Sequence, residues 1–122
     1  MKILVLDDQP EIREIISDIV QLNYDEIQID EAEDFDQAMC LASKNKYNIL
    51  LVDINLGAKS GMDFIQETRL NEGENKNTPI FVITGSSKTF ETEIEKYDNI
   101  LLFSKVDGIE SLTSNLAKVL EV

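Results

Sequence analysis

Short apolar runs that stop abruptly at acidic or polar residues constrain this chain more than any other feature. Ile3 to Leu6 ends in Asp7 and Asp8, Ile49 to Val52 in Asp53, Ile80 to Ile83 in Thr84, and Ile100 to Phe103 in Ser104 and Lys105. Runs this short and this continuous suit strands covered on both faces, as in a parallel sheet. A weaker strand is expected at Ile27 to Ile29. Between the runs, apolar residues recur at helical spacing: Ile12, Ile15, Ile16, Ile19 and Val20 after Pro10, then Phe35, Ala38, Leu41 and Ala42 behind Asp34 as N-cap. Met62, Ile65 and Leu70 predict a third helix, Phe90, Ile94 and Tyr97 a short charged fourth, and Ile109, Leu112, Leu116, Val119 and Leu120 a last one. Asn71 to Thr78 reads as loop, with Pro79 opening the next strand. Five β-α units in succession demand right-handed crossovers onto a parallel sheet with helices on both faces.

At 122 residues the chain is expected to form one domain over 1–122, with no second folded unit. Twenty-four acidic against eleven basic side chains give a net charge of -13, which argues against nucleic acid and anionic membranes as partners. The chain has no His, which removes His-dependent nucleophilic catalysis, His-based metal sites and any phosphohistidine of its own. A single Cys, Cys40, cannot form an internal disulfide, and its place beside Ala38 and Leu41 predicts core packing. The first apolar run is too short for a signal segment or a span, so a cytoplasmic location is expected.

In open parallel sheets, ligands sit at the carboxyl ends of the strands. Those ends carry Asp7, Asp8, Asp53, Thr84 and Lys105. Carboxylates held close repel one another, and a divalent cation with a lysine supplies the compensation. Hard oxygen ligands without His or paired Cys favour Mg²⁺ over zinc or copper. A carboxylate beside such a cation and an ammonium can act as a nucleophile toward phosphorus and form an acyl phosphate. A hydroxyl such as that of Thr84 can then bond a phosphoryl oxygen and couple the chemistry to loop shape.

Over essentially its whole length the sequence resembles the receiver domain of two-component response regulators, the CheY-like superfamily. Asp7-Asp8 follows the first strand; Leu51-Val52-Asp53-Ile54-Asn55-Leu56 looks like the phosphoacceptor segment, Ile83-Thr84-Gly85 like the hydroxyl segment and Ser104-Lys105 like the lysine segment. Gly61 falls at the family's loop-closing glycine. The resemblance implies a flavodoxin-like (βα)5 three-layer sandwich with a parallel five-stranded sheet in the order 2-1-3-4-5. It implies Asp53 as phosphoacceptor, Asp8 as direct Mg²⁺ ligand, Asp7 as ligand through water, and Asn55 as ligand through its backbone carbonyl. Lys105 would pair with the phosphoryl group, Thr84 would be the switch hydroxyl, and Gly85 would keep space beside the phosphate. Asn55 and Ser86 stand where the family tunes its rates, and Mn²⁺ is an alternative to Mg²⁺.

Three positions depart from the family pattern. Gly57 stands where a proline is usual, and Val106 follows Lys105 where a cis-proline is usual; a cis bond to a non-proline residue costs about 3–4 kcal/mol. Leu102 occupies the usual place of the switch aromatic, with Phe103 adjacent and directed to the other side of the strand. Output through a surface other than the family's common one is therefore expected. By resemblance the donor is a phosphohistidine on a sensor histidine kinase or a histidine phosphotransfer protein, and the output protein is unknown. The chain would be a monomer or a phosphorylation-dependent dimer, and not an enzyme beyond its own phosphoryl uptake and autodephosphorylation. The alternative is a pseudo-receiver, a phosphorylation-independent binding module. A phosphohydrolase with Asp7 as nucleophile is weak because Gln9 stands where its second acid is needed, and a flavin carrier lacks a hydroxyl-rich phosphate cradle. Nothing after the final apolar stripe reads as a linker, which is expected of either a stand-alone regulator or a receiver cut from a longer protein.

Overall fold

The computed structural model describes residues 1–54, 60–84 and 96–104. Five strands, β1 (Lys2–Leu6), β2 (Gln28–Ala32), β3 (Ile49–Asp53), β4 (Ile80–Thr84) and β5 (Ile100–Ser104), form one sheet in the order β2-β1-β3-β4-β5. Every neighbouring pair is parallel. The described helices are α1 (Pro10–Asn23), α2 (Phe35–Lys44) and α3 (Gly61–Leu70). This is the flavodoxin-like arrangement expected. The helices expected around Phe90 to Ile94 and Ile109 to Leu120 lie outside the described residues.

Alternation along the strands explains why the central runs are apolar throughout. Leu4, Leu6, Leu50, Val52, Ile80 and Val82 pack on one side of the sheet, in a cluster with Ala38, Phe64 and Ile65 from α2 and α3. Ile3, Val5, Ile49, Leu51, Phe81 and Ile83 pack on the other side with Ile16 and Val20 of α1. Each face therefore draws on every second residue, and both faces are dry. β2 is one of the two sheet edges, and only Ala32 of its five residues is buried. That position accounts for its weak apolar signal and its charged residues, which also discourage pairing with another strand.

Local chemistry sets the helix ends. Pro10 occupies the first turn of α1, and Asp34 caps α2 by accepting a hydrogen bond from the Gln37 N–H at 2.8 Å. At α3 the Asp63 carboxylate accepts from the Ser60 N–H at 2.9 Å, one arm of a capping box.

Three expectations need correction. Cys40 is exposed, because it lies about 200° around the helix from the buried Ala38 and so faces away from the sheet. Leu70 is 64% exposed; Thr68 takes the inward position near the end of α3. Tyr97 sits in a bend before β5 and packs half-buried against the core.

The loop from Asn71 to Thr78 is built around a buried amide. Asn75 Nδ2 donates to the carbonyls of Ala42 at 2.8 Å and Asn45 at 2.7 Å. Its Oδ1 accepts from the Tyr47 N–H at 2.9 Å and the Thr78 hydroxyl at 3.0 Å. Nearby, the Arg69 guanidinium donates to the backbone carbonyls of Asn75, Lys76, Thr78, Asp98 and Asn99, joining the loops that enter β4 and β5. Burial lowers the pKa of this guanidinium, opposed by the nearby Asp98.

Candidate functional site

The sheet reverses direction between β1 and β3: from β1 the chain moves outward to β2, and from β3 it moves the other way to β4 and β5. Helices leave neighbouring strand ends toward opposite faces there, which opens a crevice at the carboxyl end of the sheet. Register pairs Leu6 with Val52, so the residues that follow, Asp7 and Asp53, emerge side by side.

Asp7, Asp8 and Asp53 each bring a carboxylate oxygen to within 4.8 Å of the others. Asp7 is 1% and Asp53 3% exposed, whereas Asp8 faces solvent. At an effective dielectric of about 20, two carboxylate charges at such a separation repel by roughly 3 kcal/mol. Burial adds the cost of desolvating both. Acids placed this way suit a cation, and the donor set is entirely hard oxygen. By ligand type and proximity these three side chains fit a hard divalent cation.

The backbone around Asp7 is fixed from three directions. Its N–H donates to the carbonyl of Ala32 at 3.1 Å, and its Oδ1 accepts from the Gln9 N–H at 2.9 Å. Its carbonyl accepts from Arg13 Nη1 at 2.6 Å, while Arg13 Nε pairs with Glu31 of β2 at 3.2 Å. Arg13 is thus a positioning residue that the sequence reading missed. A usable signal was present: it is the one basic residue in α1, one turn after the acidic pair. The same acids precede the N-terminus of α1, whose dipole favours negative charge.

Gly61 closes the other side. A Cβ at this position would lie 2.2 Å from the Asp53 carbonyl oxygen and 2.8 Å from Val52 Cγ1. The Gly61 N–H donates to the Ile54 carbonyl at 2.9 Å, so the start of α3 is drawn against the end of β3. The expected loop-closing glycine is therefore required by close approach of two backbones.

Of the other expected site residues, Thr84 ends β4 opposite Ser104, the last residue of β5. Asn55, Gly57, Gly85, Ser86, Lys105 and Val106 lie outside the described residues, as does the Lys105–Val106 peptide geometry. No described helix is long and apolar enough to cross a membrane.

A five-stranded 2-1-3-4-5 sheet with three acids at its reversal point defines a class of protein, and comparison with known families agrees. The chain matches the response regulator receiver domain over residues 3–114 and belongs to that family. It is 31% identical to the transcriptional regulatory protein ResD of Bacillus subtilis over 71% of this chain, and it spans only 34% of that relative's length. Among solved structures it is similar to the chemotaxis protein CheY4 of Vibrio cholerae, with 26% identity, a TM-score of 0.84 and 98% of each chain covered. It is also similar to the response regulator TrrA of Thermotoga maritima, at 25% identity and a TM-score of 0.78 over 98% of both chains. TrrA has been solved with Mg²⁺ and BeF, and also in complex with the histidine kinase ThkA.

Proposed function

We propose that this receiver domain, folded as one unit over residues 1–122, is a phosphoacceptor switch in which Asp53 takes a phosphoryl group from a phosphohistidine of a partner kinase or phosphotransfer protein. The observation that carries this reading is the convergence of Asp7, Asp8 and Asp53, two of them buried, at the reversal point of the sheet. The Mg²⁺-BeF complex and the kinase complex of the relative TrrA support the choice of cation and donor.

In the reaction, a carboxylate oxygen of Asp53 attacks phosphorus, the N–P bond of the donor breaks, and the departing imidazole nitrogen takes up a proton. Asp8 would hold Mg²⁺ directly, together with Asp53 and the Asn55 carbonyl, and Asp7 would hold it through water. When bound, that ion offsets charge on the phosphoryl oxygens. Lys105 would pair with the transferred group, and the Thr84 hydroxyl would donate to one of its oxygens. The chain has no His, so the phosphohistidine donor lies outside these 122 residues. Altered partner binding is the output, and later hydrolysis by water returns the carboxylate.

Intact mass after incubation with acetyl phosphate tests this reading. The expected result is a gain of one phosphoryl group that requires Mg²⁺ and is absent in Asp53→Asn. No adduct under any condition, with no binding of Mg²⁺, would instead identify a phosphorylation-independent binding module.

A further inference from the structure

β2 supports the acidic cluster at both peptide groups of Asp7. The Asp7 N–H donates to the Ala32 carbonyl at 3.1 Å, which fixes the Leu6–Asp7 peptide. The Asp7–Asp8 peptide has a different support: its carbonyl oxygen accepts from Arg13 Nη1 at 2.6 Å, and Arg13 Nε donates to Glu31 Oε1 at 3.2 Å. A planar, forked guanidinium suits this bridge between a carbonyl and a carboxylate. The Arg13 side chain is 15% exposed and that of Glu31 48%. Because a peptide unit is planar, fixing the Asp7 carbonyl also fixes the backbone from which the Asp8 side chain departs. Asp8 is exposed, and its carboxylate has no hydrogen bond or ion pair of its own among the described residues.

We propose that Arg13, held in place by Glu31, sets the direction of Asp8 and thereby the affinity of the acidic cluster for Mg²⁺. The proposal rests on the reading of Asp7, Asp8 and Asp53 as a Mg²⁺ site, and it assigns the strength of that site to two residues that are not ligands. Charge and geometry here act with opposite signs. A guanidinium beside the acids repels a divalent cation, so loss of its charge alone would tighten Mg²⁺ binding. Loss of a group that orients a ligand loosens a metal site instead, typically by roughly 10–100-fold. Glu31 is half exposed, so solvent screens its own charge and its influence on the site runs through Arg13.

The test is the Mg²⁺ Kd of the whole chain by isothermal titration calorimetry at fixed ionic strength, with circular dichroism to establish that each variant is folded. Arg13→Met, which keeps an apolar stem and removes the donors, is expected to weaken binding by roughly tenfold or more. Arg13→Lys keeps the charge but has no fork to serve both partners, and its Kd is expected to fall between those of Arg13→Met and the unaltered chain. Glu31→Leu is expected to weaken binding as well, with no further loss when it is combined with Arg13→Met. In the metal-free chain, the ¹⁵N shifts of Asp8 and Gln9 are expected to move in Arg13→Met and Glu31→Leu alike. Tighter or unchanged binding in either Arg13 variant, or a Glu31→Leu loss that adds in full to that of Arg13→Met, would overturn the proposal. Absence of Mg²⁺ binding by the unaltered chain would overturn the cation reading itself, and the proposal with it.

Discussion

Gly61 shows how one residue can tie the fold to the site. A methyl group there would lie 2.2 Å from the Asp53 carbonyl, so Gly61→Ala must push the start of α3 away from β3. Overpacking of this kind costs roughly 1–3 kcal/mol, and a urea melt is expected to show a loss in that range. The same variant is expected to bind Mg²⁺ more weakly, since the backbone it presses against belongs to Asp53 itself. Asp7, Asp8 and Asp53 were legible in the sequence because each directly follows an apolar run, and parallel strands bring their carboxyl ends together. Arg13 was legible only as the one basic residue of α1 just after the acidic pair; that its guanidinium reaches a backbone carbonyl six residues earlier depends on how α1 packs beside β1. Cys40 was misread for a related reason: neighbouring Ala38 and Leu41 mark an apolar stripe, but a residue between them can face either way.

At the scale of elements, strand positions followed from apolar continuity, and β2 was weak because an edge strand needs only one or two buried residues. The long connection from α3 to β4 was the least legible part. Nothing local marks Asn75 as the buried hub that joins α2, the connection from α2 to β3 and the loop itself. Asn75→Leu removes the partner of two half-buried carbonyls and one buried N–H, and leaves the Thr78 hydroxyl only its bond to the Tyr47 carbonyl at 3.3 Å. Each unpaired buried group costs about 1–3 kcal/mol, so a loss of at least ~3 kcal/mol is expected by denaturant unfolding.

Tyr47, at the same junction, is 2% exposed and donates to Asp30 Oδ2 at 2.7 Å. Burial first, and then that hydrogen bond, raise the pKa of its phenol above the ordinary value. A raised pKa means that the stabilisation is fully present below the unfolded value, about 10, and is lost as pH rises through the folded value. Alkaline unfolding is therefore expected, and Tyr47→Phe is expected to lower stability at pH 8 while flattening the fall above pH 10. Urea midpoints measured across that range check both effects.

For the whole molecule, charge dominates. With a net charge of -13 the native state repels itself, so added salt is expected to raise the melting temperature. Mg²⁺ is expected to raise it further than Na⁺ at equal ionic strength, because a site-bound ligand stabilises by about 2.7 kcal/mol at a hundredfold excess over its Kd. Asp8→Asn is expected to remove that extra increment and leave the general salt effect intact. Failure of the two ions to differ in the unaltered chain would count against a cation site.

The central claim concerns which carboxylate accepts phosphorus. After incubation with acetyl phosphate and Mg²⁺, borohydride reduction followed by peptide mass spectrometry converts an aspartyl phosphate to homoserine and so marks its position. Homoserine at position 53 alone, dependent on Mg²⁺, is the predicted result. Label at Asp7 or Asp8, or on a hydroxyl, or a Mg²⁺-loaded protein with no label at all, would contradict it.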